Sequence, residues 1–242
     1  MAGPVLTRLA ARALTFGYDP GSPVLREVSF EAASGEILVL AGANGSGKST
    51  LLAILAGLLT PNSGKLEVDG NSGPAALDFL RTRSALLPQN IDHWLLGETG
   101  REDLTLGLDL RETAERVDGL VRHWGLESFL DQPIETLSLG QKKRLALASA
   151  LARQPAAVFL DEPLAGLDWP GLRAALADLA RLKASGVVTV LVTHEPALVA
   201  GLADRWLLLK KDTHLFGRDL VSQFEDYGLR PCLLNGLLAP LS

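Results

Sequence analysis

A short apolar strand, a glycine-rich turn and a helix in immediate succession leave a chain few folds to choose from. Ile37–Leu40 is a continuous apolar run, Gly42-Ala43-Asn44-Gly45-Ser46-Gly47-Lys48-Ser49 follows it, and helix-forming sequence extends from Lys48 to Ala56 before Gly57. The turn fits the pattern G-x-x-x-x-G-K-[ST] in the strand–loop–helix context that a phosphate-binding loop requires. Its glycines let successive backbone N–H groups curl round an anion without Cβ clashes. The helix N-terminus adds partial positive charge. Lys48 can reach the β- and γ-phosphates of a nucleotide, and the Ser49 hydroxyl can ligate Mg²⁺. Gly42, Asn44, Gly45, Ser46, Gly47 and Thr50 complete the candidate nucleotide-binding loop. A turn that merely joins strand to helix is the plain alternative, and its context weighs against it.

A second element depends on the first. Val158-Phe159-Leu160 is an apolar strand that ends in two acids, Asp161 and Glu162. Ligands of open α/β sheets bind at the carboxyl ends of strands. Alternation along the strand sends the two acids to opposite sides, which suits them to different roles. Asp161 can hold the Mg²⁺ shell, and Glu162 can orient and polarise an attacking water. Two solvated acids at a strand end would be the default reading without the phosphate loop upstream.

The rest of the chain is organised around these two motifs. Strands are expected at Leu9–Phe16, Val24–Phe30, Lys65–Val68 and Ala85–Leu87, the first pair joined by a turn with Asp19, Pro20, Gly21 and Pro23. From Leu95 to Pro133 leucines interleave with charges, and Arg111–Trp124 has helical spacing, so a helical insertion is expected there. Gly140–Arg153 reads as a strong helix. Strand and helix then alternate through Ala157–Leu160, Gly171–Ala184, Val187–Val192, Pro196–Leu202 and Trp206–Leu209. That alternation implies a mostly parallel sheet covered by helices. Beyond Asp212 the signal weakens, and the leucine-rich stretch Gly228–Ser242 carries no recognisable chemistry.

Composition removes several function classes. The net charge of -5 over 242 residues offers no basic footprint for nucleic acid. One cysteine, Cys232, can form neither an intrachain disulfide nor a thiolate metal cluster. The strongest apolar runs are strand-length, well short of the ~18 residues that cross a bilayer. The N-terminus does not read as a secretory signal.

Leu137-Ser138-Leu139-Gly140-Gln141, followed by Lys142-Lys143-Arg144, makes the chain resemble the ATP-binding cassette (ABC) family from about Leu9 to Leu209. The family pattern is LSGGQ, and Leu139 stands where the pattern has its first glycine. The resemblance implies that Ser138, Gly140 and Gln141 present donors to a γ-phosphate held by a second subunit. Ser138 would also cap the helix that follows. Further matches follow in family order. Tyr18 corresponds to the aromatic residue that stacks on adenine, and Gln89 to the glutamine that contacts Mg²⁺ and senses membrane subunits. Ala165-Gly166-Leu167-Asp168 corresponds to the loop that crosses the dimer interface, and His194 to the histidine at the γ-phosphate. His93, His123 and His214 read as structural.

The resemblance implies an α/β fold: a P-loop NTPase core with a mostly parallel sheet, N-terminal antiparallel strands and a helical subdomain inserted at about 90–153. An ABC ATPase domain over 1–212 would be followed by a short extension at 213–242. The catalytic set would be Lys48, Glu162 and His194; Ser49, Gln89 and Asp161 would serve the metal; Ser138, Gly140 and Asp168 would meet a partner. ATP and Mg²⁺ are the implied ligands. A second ABC ATPase subunit, identical or related, and integral membrane transporter subunits are the implied partners, with no nucleic acid. Such a subunit sits peripherally on the cytoplasmic face of the cell membrane.

Within the family, Gln89-Asn90, Glu102-Asp103-Leu104 and Gly107 look like the energy-coupling-factor and cobalt/nickel importer ATPases. Those importers take up vitamins or metal ions. An exporter subunit and a soluble, non-transport cassette protein are the alternatives, and the absence of a second cassette counts against the latter. The apolar cluster Ile91, Trp94, Leu95 and Leu96 reads either as a partner surface or as packing beneath the insertion.

Overall fold

The computed structural model describes residues 6–229 apart from Pro20, His93 and Asp212. His93 and the tail from Arg230 onward, with Cys232, therefore lie outside the described residues. In chain order the strands are β1 (Arg8–Phe16), β2 (Leu25–Ala33), β3 (Ile37–Gly42), β4 (Ser63–Val68), β5 (Asn71–Ser72), β6 (Ser84–Leu87), β7 (Ala157–Asp161), β8 (Val188–Val192), β9 (Arg205–Lys210) and β10 (Thr213–Gly217). The helices are α1 (Lys48–Leu55), α2 (Pro74–Arg83), α3 (Gly100–Thr105), α4 (Leu110–Trp124), α5 (Leu139–Ala152) and α6 (Trp169–Ala184).

The larger sheet has the order β10-β9-β3-β8-β7-β6. Its strands are parallel except for β10, which turns back antiparallel on β9. Every residue of β3, β7 and β8 is buried. Burial on both faces explains why these strands read as continuous apolar runs rather than alternating ones. Side chains still divide by parity. Ile37, Val39 and Ala41 join one apolar cluster with α5 and α6, whereas Leu38 and Leu40 join another with α1 and the smaller sheet. That smaller sheet is antiparallel, in the order β2-β1-β4-β5. Because β7, β8 and β3 are neighbours, Asp161 and Gly42 end their strands on the same rim.

The insertion between β6 and β7 is helical, as its interleaved leucines and charges predict. Thr99 caps α3, and Asp109 caps α4, which ends at Gly125 in the left-handed region. Val117, Val121 and Trp124 form the buried stripe of α4 at i, i+4 and i+7. Ser138 and Gln141 form a reciprocal capping box at the start of α5. Thus the capping role expected of Ser138 is present.

Four features differ from the sequence reading or add to it. The unexpected α2 begins at Pro74, an allowed first-turn position, and buries Ala76 and Leu80 one turn apart. The helix expected over Pro196–Leu202 is only a 3₁₀ turn, Pro196–Leu198; a run between Pro196 and Gly201 is too short for a stable α-helix. The β9–β10 hairpin carries the sheet past Asp212, and the chain then folds back so that Phe224 packs on Trp206 with ring centroids 5.0 Å apart. Finally, the apolar cluster after Gln89 divides. Ile91 and Leu95 are buried in the core, Trp94 is half-buried, and only Leu96 is exposed, at 73%.

Candidate nucleotide and hydrolysis site

The loop after β3 takes a shape that its glycines make possible. Gly42 has φ 148°, and a Cβ there would lie 2.1 Å from the Leu209 carbonyl oxygen on β9. A side chain at Gly42 would thus push the loop off the sheet. Gly45 has φ 76° with open space where a Cβ would be, so it leaves the mouth of the loop clear. Lys48 is buried in the first turn of α1, and its ammonium donates to the carbonyls of Gly42 and Ala43, both at 2.9 Å. The lysine therefore folds over its own loop. Burial lowers its pKa, while the Asp161 and Glu162 carboxylates pull it back up. The Ser46 hydroxyl is buried in the loop without a hydrogen-bond partner.

Beside the loop, the Ser49 hydroxyl donates to Asp161 Oδ2 at 2.5 Å. A hydroxyl and a carboxylate in contact, with the Gln89 amide lining the same cleft, form an all-oxygen donor set that fits a hard divalent cation such as Mg²⁺. Glu162 follows Asp161 but leaves strand geometry, with φ 52°. Its N–H donates to the Val192 carbonyl at 3.1 Å. Alternation was expected to send the two acids to opposite sides. Instead both line one cleft, because the left-handed residue turns the Glu162 side chain back towards it. A non-glycine residue in this region carries strain of about 1–3 kcal/mol and is frequent at functional sites. Glu162 Oε1 is buried without a hydrogen-bond partner and lies 3.5 Å from His194 Nε2. Burial raises the Glu162 pKa; the charge and backbone N–H of His194 act against it. Thr193 supports the histidine turn by accepting from the Glu195 N–H at 3.0 Å.

One cleft of about 400 Å³ collects Asn44, Gly45, Gly47, Lys48, Ser49, Thr50, Gln89, Asp161, Glu162 and His194. Tyr18 stands at its border. The phenol oxygen is 3.2 Å from the Thr50 hydroxyl, the ring meets Phe16 edge-on, and 65% of the residue is exposed. An exposed aromatic face next to a phosphate loop can stack on a base. The expected residues Ser138, Gly140, Gln141 and Asp168 are not in this cleft. They line a second one of about 460 Å³, together with Arg144 and Gly166. Leu139 is 56% exposed, so its bulk lies on the surface rather than inside the turn. Arg144 pairs with Asp168, and Asp168 caps α6 by accepting from the Gly171 N–H at 3.0 Å.

The sequence reading missed Lys143 as a site residue. It is 5% exposed, and its ammonium donates to the carbonyls of Glu162, at 2.9 Å, and Ala165, at 2.5 Å. No helix period marks it, because α5 is buried all round from Leu145 to Ala150 and the carbonyls that hold Lys143 come from a distant loop. Of the histidines expected to be structural, His93 lies outside the described residues, and His123 and His214 make contacts away from the cleft. His123 on α4 lies 3.0 Å from Asp178 on α6, and His214 accepts from the Ser29 N–H at 3.2 Å.

Residues 25–165 match the model of the ABC transporter family. The chain is 40% identical to the cobalt import ATP-binding protein CbiO of Rhodobacter capsulatus, over 95% of this chain and 87% of that protein. It is 38% identical to the energy-coupling factor transporter ATP-binding protein EcfA1 of Bacillus licheniformis, over 83% of this chain and 74% of that one. Among solved structures it is similar to CbiO1 of Clostridium perfringens, described as part of the ABC transporter complex cbiONQ. The TM-score is 0.75 at 29% identity, covering 91% of this chain and 92% of that one. With the phosphate loop, the acid pair and the LSLGQ turn in place, the chain belongs to the ABC transporter family as an ATP-binding ATPase subunit, related to the cobalt and energy-coupling importer ATPases.

Proposed function

We propose that this chain hydrolyses Mg-ATP as one of two paired subunits and so energises uptake of a small solute, a vitamin or a metal ion, through a separate membrane protein. The observation that carries the reading is the division of the expected site between two clefts. The phosphate loop, Asp161, Glu162 and His194 share one, while Ser138, Gly140 and Gln141 share another. A residue set split this way becomes whole when two copies pair head to tail, each closing the other's nucleotide, and a two-fold axis lets a single chain complete both sites. A related but non-identical ATPase would satisfy the same geometry.

In this reading Lys48 and the loop N–H groups bind the phosphates, and Tyr18 stacks on the base. Ser49, Gln89 and Asp161 hold Mg²⁺, which would neutralise charge on the phosphates. Glu162 orients the attacking water, and His194 steadies both the carboxylate and the γ-phosphate. Asp168 and the signature turn meet the partner. Relatives named for cobalt import and energy coupling support an importer, and among the described residues no helix is long and apolar enough to cross a membrane. A peripheral location on the cytoplasmic membrane face follows from that assignment.

Detergent extraction with this chain as bait tests the proposal. Recovery of a polytopic membrane protein that, reconstituted with the chain, takes up Co²⁺, Ni²⁺ or a vitamin only with ATP is the expected result. Recovery of only soluble partners would contradict it.

A further inference from the structure

Lys48 and Lys143 are the two buried lysines among the described residues, and only Lys48 belongs to the phosphate loop. An ammonium out of water is costly unless it is fully hydrogen-bonded and faces negative charge. Lys143 meets them in part: it donates to the carbonyls of Glu162 and Ala165, and although burial lowers its pKa, the carboxylates of Glu162 and Asp161 pull it back up. Leucine or methionine would fill the same helical position without the desolvation cost, so the charge has a use other than packing.

The two carbonyls say what that use is. One belongs to Glu162, the residue with left-handed backbone whose carboxylate faces His194. The other belongs to Ala165, where the loop to Asp168 begins. Lys143 itself sits in the second turn of α5, five residues after the cap Ser138. A single rigid helix therefore presents its N-terminus in the second cleft and, about one turn later, grips the peptide that aims Glu162 in the first.

We propose that Lys143 is a positioning residue for ATP hydrolysis: it fixes the Glu162 backbone and ties it to the signature turn at the start of α5. This rests on the paired-subunit reading above. A displacement of Ser138–Gln141 on engaging the partner's nucleotide would reach the chain's own Glu162 through one turn of helix and one charge-assisted hydrogen bond. Each copy would then sense the other's nucleotide without a long relay.

The test compares Lys143→Met, which lacks donor and charge, with Lys143→Gln, which keeps a donor. ATP affinity, KM, kcat and melting temperature are measured for the full chain, each alone and in a Glu162→Gln background. Lys143→Met should lower kcat about 10–100-fold with KM and affinity within about 2-fold of wild type, as expected for loss of a group that orients a reactive one. Lys143→Gln should recover part of that loss. In the Glu162→Gln background, Lys143→Met should change the residual kcat by less than about 2-fold, because both act through one carboxylate. A folded Lys143→Met protein with near wild-type kcat would overturn the proposal. So would losses that multiply in the double variant. Should Lys143→Met fail to fold, Lys143→Gln carries the same test: a folded protein with unchanged kcat overturns it. If Glu162→Gln alone retains full turnover, the assignment of Glu162 has failed, and the Lys143 proposal with it. Full loss in Glu162→Gln alongside no effect at Lys143 would reject only the latter.

Discussion

His194 Nε2 stands 3.5 Å from Glu162 Oε1, and that oxygen has no hydrogen-bond partner of its own. The pair joins the end of β7 to the end of β8; the His194 backbone N–H serves the Glu162 carboxylate, and the buried Oε1 is left without a hydrogen bond. Burial lifts the Glu162 pKa above its ordinary 4.5, and the His194 charge holds it down. Orienting water requires the ionised form. Hydrolysis should therefore fail as pH falls through a value above 4.5, and His194→Ala should move that acid limb to higher pH. A kcat–pH profile of both proteins checks this.

The same shift has a stability consequence of opposite sense. A carboxyl whose folded pKa is raised binds its proton more tightly in the native state than in the unfolded one. Stability from this group is thus full below pH 4.5 and declines as pH rises through the folded value. Glu162→Gln removes that loss, so the variant should melt above wild type at neutral pH, with the gap closing towards pH 4. Thermal unfolding across that range reads it directly.

Two loop glycines should respond differently to alanine. At Gly42 the new Cβ would lie 2.1 Å from the Leu209 carbonyl oxygen at φ 148°. Gly42→Ala should cost about 2–4 kcal/mol of stability through overpacking and backbone strain. At Gly45 no atom lies within 4 Å of the Cβ position, although φ is 76°. Gly45→Ala should cost only about 1–2 kcal/mol, and its main effect should be weaker ATP binding. Denaturant unfolding and nucleotide titration separate the two.

The divided apolar cluster yields another contrast. Leu95 is 8% exposed and packs in the core. Leu95→Asp should cost about 3 kcal/mol or more, because it buries an unpaired carboxylate. Leu96 is 73% exposed. Leu96→Asp should leave stability within about 0.5 kcal/mol while reducing recovery of the membrane partner. Equal destabilisation by both would contradict this division.

The phosphate loop, the acid pair and the parallel core were legible because each rests on local rules. Ile37–Leu40 is apolar on both faces, and the glycine pattern admits few conformations. Other features depended on tertiary context. Strand alternation could not anticipate that Glu162 turns left-handed, since its N–H pairs with Val192 thirty residues away. The burial of Lys143 follows from carbonyls supplied by a distant loop. Thr213–Gly217 is a short edge strand recruited by β9, so its own pattern is weak. Ile91 and Leu95 are apolar residues in a loop, and only the packed insertion distinguishes them from exposed Leu96.

The central claim is that Glu162 drives hydrolysis at a site where Lys48 holds the phosphates. Phosphate release by Glu162→Gln, measured at saturating Mg-ATP alongside the affinity for a fluorescent ATP analogue, tests it most directly. The account predicts affinity within about 2-fold of wild type and turnover reduced about 100-fold or more, as for loss of a group that acts only in the transition state. Turnover close to wild type, with nucleotide bound normally, would contradict it.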